Sequence, residues 1–136
     1  MLEPRRKLLN RYLDRMNARM TTILVLDDDQ VILDLLQTVL TDAGYNTVVA
    51  PGLHSIAADA SADVVITDLV PLKSYWRESA VDWITSLRSR FAGSPLFILT
   101  AHADAVAEPD MLGANAILAK PFDVDMLLAK LDELLA

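Results

Sequence analysis

The 136-residue sequence predicts an α/β fold built on a parallel sheet. Two observations carry this. Several short runs are apolar throughout rather than alternating, as strands covered on both faces must be. These runs take turns with stretches in which apolar residues recur at helical spacing. Five such strand–helix units in succession, joined by right-handed crossovers, leave few topologies.

The elements follow in order. Ile23-Leu24-Val25-Leu26 is the first run and ends in Asp27-Asp28-Asp29. Ile32, Leu33, Leu35, Leu36, Val39, Leu40 and Ala43 then recur on a helical period, with Gly44 as a C-terminal stop. Thr47-Val48-Val49-Ala50 is the second strand, closed by Pro51-Gly52. A helix of small residues is expected over 53–60. Val64-Val65-Ile66-Thr67 ends at Asp68, and residues 80–91 read as helical through Val81, Ile84 and Leu87. Leu96-Phe97-Ile98-Leu99 ends at Thr100 and is followed by a weak helix. Ala116-Ile117-Leu118-Ala119 ends at Lys120-Pro121, and residues 123–135 form the last helix.

Composition narrows the function. No apolar run approaches the roughly 20 residues that span a bilayer, and the charged start does not read as a secretory signal. There is no cysteine, which excludes disulfides, thiolate metal sites and cysteine nucleophiles and fits a reducing, cytoplasmic setting. The net charge of −7 divides unevenly. Residues 1–20 carry six basic and two acidic groups, and residues 21–136 carry six basic and seventeen acidic ones. An acidic body repels nucleic acid, which needs clustered Lys and Arg, and it suits a divalent cation.

The polar residues at four strand ends carry the chemistry. They are Asp27-Asp28-Asp29, Asp68, Thr100 and Lys120. In a parallel sheet these ends share one edge, where sites on such folds gather. Taken singly, each has a plainer role. An Asp after a strand is more often a helix cap, and Asp28 or Asp29 is placed to cap the first helix. Thr100 alone reads as a turn hydroxyl, and Lys120 alone as solvated surface. Together they form carboxylates that demand a cation, with a lysine and a hydroxyl facing them. That set suits a phosphoryl group.

These motifs resemble the response-regulator receiver family over residues 21–136. "ILVLDDDQVILDLLQTVLTDAGY" is similar to its opening strand and helix, and "ADVVITDL" to its third strand. "PLFILTA" and "GANAILAKPF" are similar to its fourth and fifth strands. The resemblance implies a flavodoxin-like, doubly wound five-stranded sheet of order 2-1-3-4-5 with helices on both faces. It implies Asp68 as phosphoacceptor and metal ligand, Asp28 as a direct Mg2+ ligand, and Asp27 acting through water. It also implies the main-chain carbonyl of Val70 as a further ligand, Thr100 and Lys120 on the phosphoryl group, and a cis Lys120–Pro121 bond.

Three departures from the family pattern stand out. Ile117 occupies the position of the usual aromatic switch residue. The loop after Asp68, with Pro71 early and "LKSYWRESA" following, is about four residues longer than usual and carries Tyr75 and Trp76 as core anchors or partner contacts. The fourth-helix segment "AHADAVAEPDMLGA" contains Pro109. Proline in a helix interior costs about 3 kcal/mol, so that helix is expected to be short, broken or shifted.

Residues 1–20 form a basic amphipathic extension, with Leu9, Leu13 and Met16 on one face and Tyr12 and Met20 nearby. Its alternative readings are a helix that docks on the acidic body or pairs two chains into a homodimer, a membrane-surface anchor, or a tail preceding a domain that begins near Met20. The expected function is a stand-alone receiver that takes a phosphoryl group from a histidine kinase or phosphotransfer protein. It would signal to a downstream protein target, or pass the group on, without turning over as an enzyme. Near-complete switching of a two-state population needs about 5.5 kcal/mol. The alternatives are a receiver that binds partners without phosphorylation, and a phosphatase of the haloacid dehalogenase type using Asp27, since "VLDDDQV" fits that nucleophile motif.

Overall fold

A computed structural model describes residues 5–13, 21–69 and 74–136. Its centre is one parallel sheet of order β2-β1-β3-β4-β5. The strands are β1 (Thr22–Leu26), β2 (Asn46–Ala50), β3 (Val64–Thr67), β4 (Leu96–Thr100) and β5 (Ala116–Ala119). This is the flavodoxin-like order that the motifs imply. Side chains alternate across each strand, and both faces are apolar. Ile23 and Val25 point into one core, and Leu24 and Leu26 into the other.

Three helices lie between strands, α1 (Gln30–Asp42), α2 (Arg77–Arg90) and α3 (Ala103–Val106), and α4 (Val124–Leu135) follows β5. Asp29 is the cap of α1, its carboxylate accepting from the Val31 N–H at 2.9 Å. That satisfies one of the orphan donors at a helix start. The helix stops at Gly44, whose φ of 99° opens the left-handed region. Gly44 N–H donates to Thr41 and Tyr45 N–H to Leu40, the paired bonds of a Schellman close. Asp123 caps α4 through the Asp125 and Met126 N–H groups.

One element is corrected. The helix expected over 53–60 is a single 3-10 turn, Leu53–Ser55, and Ile56 is already extended. The carbonyls of Ala57 and Ala60 accept from the Arg90 guanidinium at 2.7 and 3.3 Å. Leu53, Ile56 and Ala62 pack on the core at irregular spacing. A partner reaching in from α2 thus takes up carbonyls that a helix would have used internally. Helix α2 also begins three residues earlier than the apolar period suggests.

The segment after β4 behaves as Pro109 requires. Helix α3 has four residues, and a second 3-10 turn follows at Met111–Gly113. Met111 and Leu112 sit at φ 52° and 58°, a region that costs a non-glycine residue about 1–3 kcal/mol. The loop aromatics divide their roles. Tyr75 packs against the core, whereas Trp76 is 68% exposed. Residues 5–13 are helical, with Leu8, Leu9, Tyr12 and Leu13 exposed. Met16, Met20, Val70 and Pro71 lie outside the described residues. No described helix is long and apolar enough to cross a membrane.

Candidate functional site

The ends of β1, β3 and β5 converge. Lys120 Nζ lies 2.6 Å from Asp27 Oδ2 and 3.2 Å from Asp68 Oδ2, closing a gap of 93 and 52 residues in sequence. Carboxylate oxygens of Asp27, Asp28 and Asp68 all lie within 4.8 Å of one another. Asp27 is buried, Asp68 half-buried and Asp28 exposed. The cluster therefore opens to solvent on one side. The Lys120–Pro121 bond is cis.

Each side chain is aimed by its strand and the turn after it. Asp27 Oδ1 accepts from the Asp29 N–H at 2.9 Å, which ties the acidic cluster to the start of α1. Asp68 N–H donates to the Leu26 carbonyl at 2.8 Å and continues the β1–β3 register one residue past the sheet. Asp68 Oδ1 accepts from the Leu69 N–H at 2.7 Å. Lys120 N–H donates to the Thr100 carbonyl at 2.8 Å. Both oxygens of the Asp68 carboxylate are thus engaged before any ligand arrives.

Thr100 is fully buried at the end of β4, but its side chain is not hydrogen-bonded to this cluster. Its hydroxyl accepts from the His102 N–H at 3.0 Å and so serves the turn into α3. Because that bond is accepted, the hydroxyl proton is still there to donate.

Charge in the site is unbalanced. Burial pushes the Asp27 carboxyl above its ordinary range and the Asp68 charge adds to this, although the Lys120 and Asp29 hydrogen bonds pull the other way. Burial disfavours the Lys120 ammonium, yet hydrogen bonds and attraction from Asp27 and Asp68 outweigh it and hold the lysine above its usual value. Three carboxylates here face a single ammonium. An added cation relieves that excess. Mg2+ fits the donor set, because all the donors are hard oxygens and the exposed side leaves room for its waters.

The phosphatase reading fails on this geometry. It needs Asp27 open to substrate, but Asp27 is 1% exposed, whereas Asp68 is half-buried.

The response regulator receiver domain model matches residues 23–132. The chain belongs to the receiver family. The receiver is 36% identical over 118 residues to the transcriptional regulatory protein KdpE of Mycobacterium tuberculosis, covering 82% of this chain and 50% of that protein. It thus spans about half the length of this and similar curated relatives. Among solved structures, chemotaxis response regulator CheY4 of Vibrio cholerae superposes with a TM-score of 0.67 at 26% identity, covering 84% of this chain and 98% of that one. TrrA of Thermotoga maritima, solved with Mg2+ and BeF, has the same fold, with a TM-score of 0.69 at 24% identity over 84% of this chain and 98% of that one. The Asp27, Asp28 and Asp68 cluster of this receiver is a phosphoacceptor site of that family's type.

Two groups of polar contacts escape the motifs. Thr67, fully buried, donates to the Asp68 carbonyl at 2.6 Å and accepts from Trp83 Nε1 at 3.0 Å. Tyr75 and Arg77 both bind Glu108, at 2.7 and 2.6 Å, and Arg77 makes a forked pair with Asp110. The sequence signal for the first was a hydroxyl closing an otherwise apolar strand. For the second there was none, because the partners lie about thirty residues apart.

Proposed function

We propose that Asp68 accepts a phosphoryl group from a phosphohistidine of a kinase or phosphotransfer protein. A carboxylate oxygen of Asp68 forms the new bond to phosphorus, the phosphorus–nitrogen bond breaks, and the imidazole leaves. Water later cleaves the acyl phosphate and restores the carboxylate. The observation that carries this reading is Lys120 Nζ within hydrogen-bond reach of both Asp27 and Asp68. In the phosphorylated state Lys120 turns from Asp68 to an oxygen of the phosphoryl group, and the Thr100 hydroxyl donates its proton to another. Asp27, Asp28, Asp68 and the Val70 carbonyl would hold Mg2+, which when bound offsets charge on the transferring group. Output is a contact with a downstream protein, or onward transfer.

The test is incubation with acetyl phosphate and Mg2+, then intact mass and trapping of the acyl phosphate. Wild type gains one phosphoryl group, which maps to Asp68, and Asp68→Asn gains none. Label on Asp27 would restore the phosphatase reading. No gain, under conditions that modify a control receiver, would favour a receiver that binds partners unphosphorylated, to which the half-buried Ile117 at the aromatic position gives some support.

A further inference from the structure

We infer that Thr67 and Trp83 are positioning residues for the Asp68 carboxylate, acting through one peptide plane; this rests on the reading of Asp68 as phosphoacceptor. The hydrogen bonds run in one direction. Trp83 Nε1–H donates to Thr67 Oγ1 at 3.0 Å, and the Thr67 hydroxyl donates to the Asp68 carbonyl at 2.6 Å. That carbonyl shares a rigid plane with the Leu69 N–H, and the Leu69 N–H donates to Asp68 Oδ1 at 2.7 Å. Rotating the plane to lose one bond loses the other.

The burial is consistent with this role. Thr67 is 0% exposed and Leu69 1%, so water cannot replace either partner. A hydroxyl has one proton to give, and here it goes to Asp68 while a lone pair takes the Trp83 proton, so the group is fully satisfied. Valine has nearly the same shape and would serve a strand facing an apolar core equally well. Sequential hydrogen bonds polarise one another in a low-dielectric interior, so the indole N–H strengthens the hold of Thr67 on the carbonyl. Helix α2 places Trp83, and the β1–β3 register places Thr67 opposite Leu26. With Oδ1 held by the plane and Oδ2 facing Lys120, the carboxylate is fixed in rotation before the donor arrives. Pre-orientation of this kind lowers the barrier to attack, and a small misplacement is costly.

The experiment compares Thr67→Val, Thr67→Ser and Trp83→Phe with wild type, and with Thr85→Val as a control that removes an exposed hydroxyl from the same helix. Two readouts are taken: the phosphorylation rate with acetyl phosphate at saturating Mg2+, and hydrogen exchange of the Leu69 amide by NMR. Thr67→Val should lower the rate and the Leu69 protection about tenfold each, and its urea midpoint should fall as well, because the Trp83 N–H and the Asp68 carbonyl lose their shared partner. Trp83→Phe should move both in the same direction by less. Thr67→Ser and Thr85→Val should remain at wild-type values. A Thr67→Val protein that phosphorylates at the wild-type rate with its Leu69 amide unmoved overturns the inference. If wild type itself takes no phosphoryl group, the functional reading fails instead, and the Leu69 amide alone then decides whether the relay exists.

Discussion

On one face of the sheet, α1 and α4 lay Leu33, Leu36, Leu40, Leu127 and Leu131 over Ile23, Val25, Val64 and Phe97. Both are amphipathic helices of twelve or thirteen residues with Asp caps. On the other face, among the described residues, only α2 is a long helix. The remaining cover is the 53–62 segment and the strained 103–114 segment, and each is tied to α2 by an arginine. Arg90 holds the Ala57 and Ala60 carbonyls, Arg88 holds the Gly113 carbonyl and Asn115, and Arg77 holds Glu108 and Asp110. The first face is periodic hydrophobic burial, and the second is a scaffold of directed polar contacts on a smaller apolar base. Apolar burial carries no charge for salt to screen, whereas exposed charge-assisted bonds weaken as ionic strength rises. The site straddles the boundary: Asp27 is tied to the first face through α1, and Asp68 to the second through Thr67 and Trp83.

Breaking the first face should cost most. Leu36→Ala removes a fully buried side chain from the centre of α1 and is expected to lower unfolding free energy by about 2–5 kcal/mol, measured by urea denaturation. Arg90→Ala should cost about 1–2 kcal/mol, with lost amide protection confined to 56–62. Uniform loss over the whole chain would show that the two faces are not built differently.

The acid and alkaline limits sharpen the comparison further. Burial, with the hydrogen bond to Glu108, pushes the Tyr75 phenol up to about 12. The folded state therefore holds that proton more tightly than the unfolded chain. The stability it adds is complete below about pH 10 and is lost as pH climbs towards 12. Tyr75→Phe should flatten the alkaline fall in urea midpoint relative to wild type. The smallest effect belongs to Asp110, which Arg77 holds down at about 2. Its contribution is present above about pH 4 and disappears as pH falls towards 2. Asp110→Asn should remove only that part of the acid loss, and exchange of the Leu112 amide should rise with it.

The two faces were unequally legible for the same reason. Leu33, Leu36 and Leu40 announce a helix because a helix buried on one side needs apolar residues at that spacing. The four strands that end in polar residues were read within a residue of their bounds. Their shared edge, and with it the meeting of Asp27, Asp68 and Lys120, follows from the parallel order. The segment over 53–60 was misread because its conformation is held by Arg90, thirty residues further on, and not by its own alanines. Thr100 was read at the end of its strand, but the bond that its hydroxyl accepts from the His102 N–H was not foreseen.

Local pattern alone therefore determined the sheet, its two apolar faces and the residues at the strand ends, since periodicity and strand-end polarity are properties of neighbours in the chain. The tertiary structure decided which carboxylate shares Lys120, what Thr67 and Trp83 bind, and how the 53–62 and 103–114 segments are held. Those depend on hydrogen bonds between residues far apart in sequence, whose directions exist only once the backbone has been placed.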